Sequence, residues 1–423
     1  MKLALSKGSR ICIVGGGPAG SLSALHILRL AAGERLALDV RIFEPRDFTT
    51  PGPSGCNRCA GVLSSGLLEG LAQLGMEIPE GVIQTTLRSY ALQLDQELIS
   101  MHQPDPTRKI VSVYRGGGPR LIQSGPIQSF DEFLLSEAVQ RGATRIRARV
   151  GRVSWDGRPV LHVGREQLPA DLLVLATGVN SRPPLDRSYR YRPPLTAVMA
   201  QDEVLRPADW PQDQVRAFFQ KPRGLTFGAL IPKGKYLNIS LLGKRLATDA
   251  VSDFMDAQGL AAWLSSGSLC GCTPRVAVGA ARSYFGDRWV AVGDAAVTRL
   301  YKDGIGSAYA TAQAAMHTAV YRGISRRAFR RAYAPVCRRV AADNRYGRLL
   351  YRLWSFVLRS PPLLRAWKGA LQTETGEPPE RRVHTRVLWG MLTGDEPYRR
   401  LLSLPLGRAS LKGLWEGYRK NSE

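Results

Sequence analysis

The 423-residue chain is poor in the residues that staple or metallate a fold, and in acids. Six cysteines and five histidines are too few for a disulfide framework at this length. The histidines show no metal-like spacing, which argues against a histidine-based metal site. No apolar run reaches the roughly 18 residues a bilayer-spanning helix needs. The opening MKLALSKGSR is too short and too polar for a signal peptide. Both absences lead us to expect a cytoplasmic protein. There is no internal repeat and no low-complexity segment, which excludes solenoids and collagen-like chains.

Acids are outnumbered overall: 59 Lys/Arg face 35 Asp/Glu, a net charge of +24. Such a balance predicts an anionic partner. The excess is uneven. From Tyr321 onward 22 Lys/Arg face 8 Asp/Glu, so +14 of the +24 lies in the last quarter. That tail also carries Trp354, Trp367, Trp389 and Trp415, and LLYRLWSFVLRSPPLLRAW mixes Trp, Leu and Arg in the manner of an interfacial segment. We expect it to dock on an anionic membrane surface, at the inner face of the cell membrane. The competing readings are a solvated basic face and nucleic-acid binding.

What is present is a nucleotide-binding pattern. RICIVG at 10–15 reads as a buried strand, GGGPAG as a turn, SLSALHILRLAA as a helix, and DVRIFE as a second strand ending in Glu44. Gly15 permits the tight turn. Gly17 lets backbone approach a pyrophosphate at the helix N-terminus, and Gly20 lets helix and strand pack closely. Glu44 is placed to accept hydrogen bonds from a ribose. Far downstream, DLLVLATG and RWVAVGDAAV read as two more buried strands, the second ending in Gly-Asp, and GIGSAYATAQAAMHTAV at 304–320 reads as a long helix. Asp294 at such a strand end suits a ribityl hydroxyl. The positive end of the following helix, aimed at a flavin ring, would stabilise the reduced anion. The combination favours FAD over NAD. No second GxGxxG follows a strand, so no separate nicotinamide domain is visible.

IVGGGPAGS, Glu44, CAGVLS, SFDEFLLSEAVQRGA, LATGVNS and VGDAAVTRLYKDGIGSA together resemble the geranylgeranyl reductase family of p-hydroxybenzoate-hydroxylase-like flavoproteins, over about residues 8–335. DNRYGRLLYRLW and LWGMLTGDEPYRR look like C-terminal helices of its bacterial members. The resemblance implies an α/β fold: a Rossmann-like FAD-binding domain (1–83, 124–184 and 281–335), an inserted β-sheet substrate domain (84–123 and 185–280) and a C-terminal helical basic region (336–423). By motif it carries FAD contacts onto Ala19, Glu44, Cys59, Ala60, Val62, Asp294, Gly304 and Ile305. It also implies hydride transfer from reduced FAD to C=C bonds of a polyprenyl or other lipid-like substrate. The electron donor would be NADPH or reduced ferredoxin, the latter a protein partner, and no nucleic acid is involved. Two positions depart from the pattern. Ile127 stands where the group has an Arg, and FGALIP supplies Phe227, Ala229 and Ile231 where the family's lipid-contacting motif has Tyr and Trp. A Trp-rich halogenase motif is absent there. A hydroxylase-like flavin monooxygenase and a non-catalytic flavin-binding scaffold are the alternatives.

The loop GPSGCNRCAGVLSSG at 52–66 leaves several readings open. Cys56 and Cys59 could clip zinc with Cys270 and Cys272, form a redox dithiol, or fill small buried spaces. The favoured reading is a flavin-facing loop in which Cys59 alone lies near the chemistry. A thiol or a water would then supply the proton that completes alkene reduction.

Overall fold

The computed structural model describes residues 3–57, 60–122, 125–219, 224–243, 246 and 249–420. Cys59, the expected catalytic thiol, lies outside the described residues.

A six-stranded sheet forms the first half of the molecule. Its spatial order is Phe285–Gly286, Trp289–Ala291, Leu172–Leu175, Arg10–Val14, Asp39–Phe43 and Thr144–Ile146. All neighbours run parallel except the edge strand Phe285–Gly286. The central strands, Leu172–Leu175 and Arg10–Val14 from Ile11 onward, are apolar without interruption because both faces are covered. Alternate side chains go to opposite sides. Ile11, Ile13, Leu172 and Val174 join a core with the helices Pro18–Gly33, Phe130–Gln140 and Gly304–Tyr321. Cys12, Val14, Leu173 and Leu175 join Val153 and Leu161 of a small antiparallel sheet on the other face.

A seven-stranded sheet forms the second half, in the order Arg275–Ala277, Thr196–Leu205, Tyr236–Gly243, Leu225–Lys233, Gln214–Phe218, Ser89–Leu94 and Glu97–His102. Every residue of Tyr236–Gly243 is buried, since this sheet too is covered on both faces. One face packs on the helix Ala250–Ala257 through Leu237, Ile239 and Leu241. The other meets the C-terminal helices. The strands Ile83–Leu87 and Ile110–Val113 do not enter this sheet. They pair with Val62–Leu63 in a three-stranded sheet of their own.

After residue 333 the described chain contains only helices and their connections, of which Ala334–Val357, Pro361–Glu374, Val383–Thr393 and Arg408–Lys420 are the longest. Glu374 ties them together: it accepts the backbone N–H of His384 and Thr385 at 2.9 and 2.8 Å and lies 2.6 Å from His384 Nδ1, while Ser410 Oγ lies 2.9 Å from His384 Nε2. Trp354, Trp367 and Trp389 are buried at 4%, 7% and 3% exposure. They belong to the core against the large sheet, which corrects the reading of Trp354 and Trp367 as interfacial. Their rings pack edge-on, with Trp354 and Trp367 5.2 Å apart. Only Trp415 of the four is exposed.

Candidate functional site

The turn after Arg10–Val14 admits no side chain at two places. Gly15 has φ +107°, and a Cβ there would lie 2.5 Å from the Ala176 carbonyl oxygen. A Cβ on Gly20 would lie 1.8 Å from the Gly15 carbonyl oxygen. The helix that follows starts at Pro18 with Gly17 as its N-cap, and it has neither a side-chain cap nor an acid in its first turn. Pro18 has no N–H, and the Gly20 and Ser21 N–H groups donate to the Gly17 carbonyl at 2.9 and 3.0 Å, so the Ala19 N–H and the positive end of the dipole are what the helix presents to an anion.

Glu44 is buried beside this turn. Its Oε2 accepts the Gly16 N–H at 3.0 Å and its Oε1 the Arg46 N–H at 3.0 Å. Arg46 also donates Nε to Oε1 at 2.9 Å and a terminal nitrogen to Oε2 at 3.0 Å. Burial pushes the carboxyl up, but the Arg46 hydrogen bond and charge and the two N–H groups outweigh it and hold Glu44 below its ordinary value. Four donors fill the roughly four acceptor sites of a carboxylate. A further hydroxyl would find an acceptor site on Glu44 only with Arg46 displaced, which the sequence alone does not suggest.

Arg46 continues into a polar chain. It donates to Asn57 Oδ1 at 2.6 Å, Asn57 donates to Asp131, and Arg115 grips Asp131 with two nitrogens at 2.7 and 3.0 Å. Asp131 is fully buried and Arg115 nearly so. A guanidinium, Arg115, thus borders the site from a different segment than Ile127, after the strand Ile110–Val113. Ile127 itself packs beside Tyr114, Tyr236 and Leu269. Arg115 gives no motif signal in YRGGG, because only the fold brings it onto Asp131.

Across from Arg115 stands Asp294. Burial raises its carboxyl above the ordinary value, against the lowering influence of Arg115 and Thr298. The preceding Gly293 has φ +59°, and a Cβ there would lie 2.7 Å from the Ala19 Cβ. This close approach sets the Gly-Asp strand end against the uncapped helix. Nearby, Asp303 caps Gly304–Tyr321 from a left-handed conformation, φ 53°. Its Oδ1 accepts the Gly306 N–H at 3.2 Å and the Ser64 hydroxyl at 2.8 Å. Burial pushes Asp303 up to about 6, opposed by the Ser64 bond and Arg299. The helix whose positive end is expected to face a flavin therefore carries an acid at its cap.

Glu44, Arg46, Asn57, Arg115, Asp294 and Asp303 border one cavity of about 1130 Å³. Gly15, Gly17, Ala19, Glu44, Asp294, Gly304 and Ile305 line it, together with Ala60 and Val62. Gly20 does not; it serves the packing beneath. Phe227, Ala229 and Ile231 line the same space, with Tyr90, Met199 and Val215 from neighbouring strands. Lys302 faces them, its Nζ 3.9 Å from the Phe227 ring centre. Cys56 reaches the cavity wall, whereas Cys270 and Cys272 are not among its lining residues. Among the described residues no group of three or more His, Cys, Asp or Glu could hold a metal ion. The volume exceeds the roughly 300–1,000 Å³ of an ordinary small-ligand pocket. An uncapped helix end, a strand-end acid and a close glycine turn fit a dinucleotide, and the apolar remainder leaves room beside it.

No family model matches the chain, and no curated protein sequence matches it significantly. Solved structures do match its fold. A geranylgeranyl bacteriochlorophyll reductase-like protein from Thermoplasma acidophilum is 15% identical with a TM-score of 0.60, covering 98% of each chain. A flavin-dependent brominase, Bmp2, is 15% identical with a TM-score of 0.62, over 93% of this chain and 97% of its own. The oxygenase of 2-methyl-3-hydroxypyridine-5-carboxylic acid is 16% identical with a TM-score of 0.61, over 84% and 94%. The chain has the fold of FAD-dependent oxidoreductases, a Rossmann-type α/β body followed by a helical C-terminal region.

Proposed function

We propose that the protein is an FAD-dependent oxidoreductase of the geranylgeranyl reductase type, acting on C=C bonds of a polyprenyl or similar lipid. The observation that carries this reading is the single cavity that runs from the uncapped helix at Pro18 to the apolar wall at Phe227, Ala229 and Ile231. FAD, when bound, supplies a hydride to one carbon of the double bond. The Ala19 N–H and the positive end of the helix would hold the pyrophosphate, Asp294 a ribityl hydroxyl, and Glu44, once Arg46 moves, the ribose. The apolar wall seats the chain and excludes water. The second carbon needs a proton, and Cys59 is our candidate donor.

Purified protein would be reduced anaerobically, mixed with polyprenyl lipids and read by mass spectrometry. Products heavier by two hydrogens per reduced bond, with reoxidised flavin, are expected. NADPH and reduced ferredoxin would be compared as electron donors. Cys59→Ser should retain flavin and slow its reoxidation, with Cys56→Ser much less affected. The shared fold of the oxygenase favours a monooxygenase as the second reading. Oxygen uptake coupled to a hydroxylated product, with no saturated lipid, would replace the first.

A further inference from the structure

The helix Ala334–Val357 has three faces. At about 100° per residue, Asn344, Gly347, Leu350, Tyr351 and Trp354 fall on one side, and all five are buried. Tyr346, Leu349, Leu353 and Phe356 fall within an arc of roughly 80° and are exposed at 39%, 44%, 47% and 59%. Between these lies a third strip with Arg345, Arg348 and Arg352, all exposed. The helix contains one carboxylate, Asp343, and it is taken by the backbone N–H groups of Tyr398 and Arg399, both at 2.9 Å. An apolar stripe beside a strip of arginines is the pattern of a helix lying in a membrane interface.

We infer that the Leu349–Leu353–Phe356 stripe and its flanking arginines form the face by which this protein docks on an anionic lipid bilayer. Charge complementarity selects that occupant. The last quarter of the chain carries +14 of the +24 net charge, and arginine attracts anionic headgroups while the stripe enters the acyl boundary. The same helix backs onto the cavity with its opposite, buried face. Tyr351, on that buried face, packs edge-on against the cavity-lining Tyr301 at 5.1 Å, whose hydroxyl burial raises against the opposing charge of Arg348. This inference rests on the proposed lipid substrate only for its purpose, since the surface is read independently of turnover.

The full chain would be co-sedimented with phosphatidylglycerol/phosphatidylcholine vesicles and with phosphatidylcholine alone. Binding should require phosphatidylglycerol and weaken with salt. R345S/R348S should lose at least tenfold in affinity, taking about fivefold per arginine. L353S/F356S should lose the part that resists salt. R326S/R327S, equally charged but at the start of the helical run that leads into Ala334–Val357, should change little. Absence of vesicle binding, equal binding to neutral vesicles, or an equal loss in R326S/R327S would overturn the assignment. So would a wild-type dimer that L353S/F356S converts to monomer, because the stripe would then be a protein interface. Sedimentation does not depend on flavin chemistry. Failed docking with intact lipid reduction, or docking without it, therefore separates this inference from the proposed function.

Discussion

Asp303 offers a test in which one charge is removed and little else. Its folded carboxyl titrates at about 6 against an ordinary 3.8. That gap corresponds to ~3 kcal/mol at about 1.4 kcal/mol per pH unit. The sign follows from proton binding. Between these two values the folded protein holds more protons than the unfolded chain. Stability from this group is therefore fully present below about pH 4 and is lost as pH rises through about 6. Asn is the right replacement. It tolerates the left-handed conformation, and its carbonyl oxygen can still accept from Ser64 and Gly306 and cap the helix. The wild-type protein and Asp303→Asn would be unfolded with urea at pH 4, 5, 6 and 7. Near pH 4 the two should have similar stability. By pH 7 the variant should be more stable by up to ~3 kcal/mol, and taking the difference between the two proteins cancels every other titrating group they share. A gap that stays flat from pH 4 to 7, or that opens toward acid, would refute the assignment of Asp303 as a carboxyl strained by burial.

Arg115→Met should cost ~3–5 kcal/mol in urea unfolding, because it leaves Asp131 buried without its charge partner; Arg115→Met with Asp131→Leu should recover part of the loss. Gly20→Ala should fail to yield folded flavoprotein, given a Cβ only 1.8 Å from the Gly15 carbonyl oxygen. Gly17→Val, which meets only the Asn57 side chain at 3.0 Å, should fold with unchanged circular dichroism and lose flavin absorbance. Retention of FAD at wild-type affinity by Gly17→Val would mean that the pyrophosphate lies elsewhere.

The sequence by itself determined the elements whose signal is local. A buried strand, a glycine turn and a helix over 10–33 can be read directly because steric exclusion at Gly15 and Gly20 acts between near neighbours. The same holds for the Gly-Asp strand end at 293–294 and the helix that starts at Gly304. Apolar continuity likewise marked Leu172–Leu175 as a strand covered on both faces. Tertiary structure alone decided the charge network. Arg115, Asn57 and Asp131 come from three separated segments, and no periodicity links a guanidinium to a carboxylate 16 residues away. It also decided that Arg46 fills the acceptor sites of Glu44 and that Asp303 caps the helix meant to face the flavin. The basic tail shows the division most plainly. Composition gave it Trp, Leu and Arg together, but only packing on the large sheet buried Trp354 and Trp367 and left Leu349, Leu353 and Phe356 outside. Which side of an amphipathic helix is covered depends on the surface it meets, and that surface is built from residues far away in the chain.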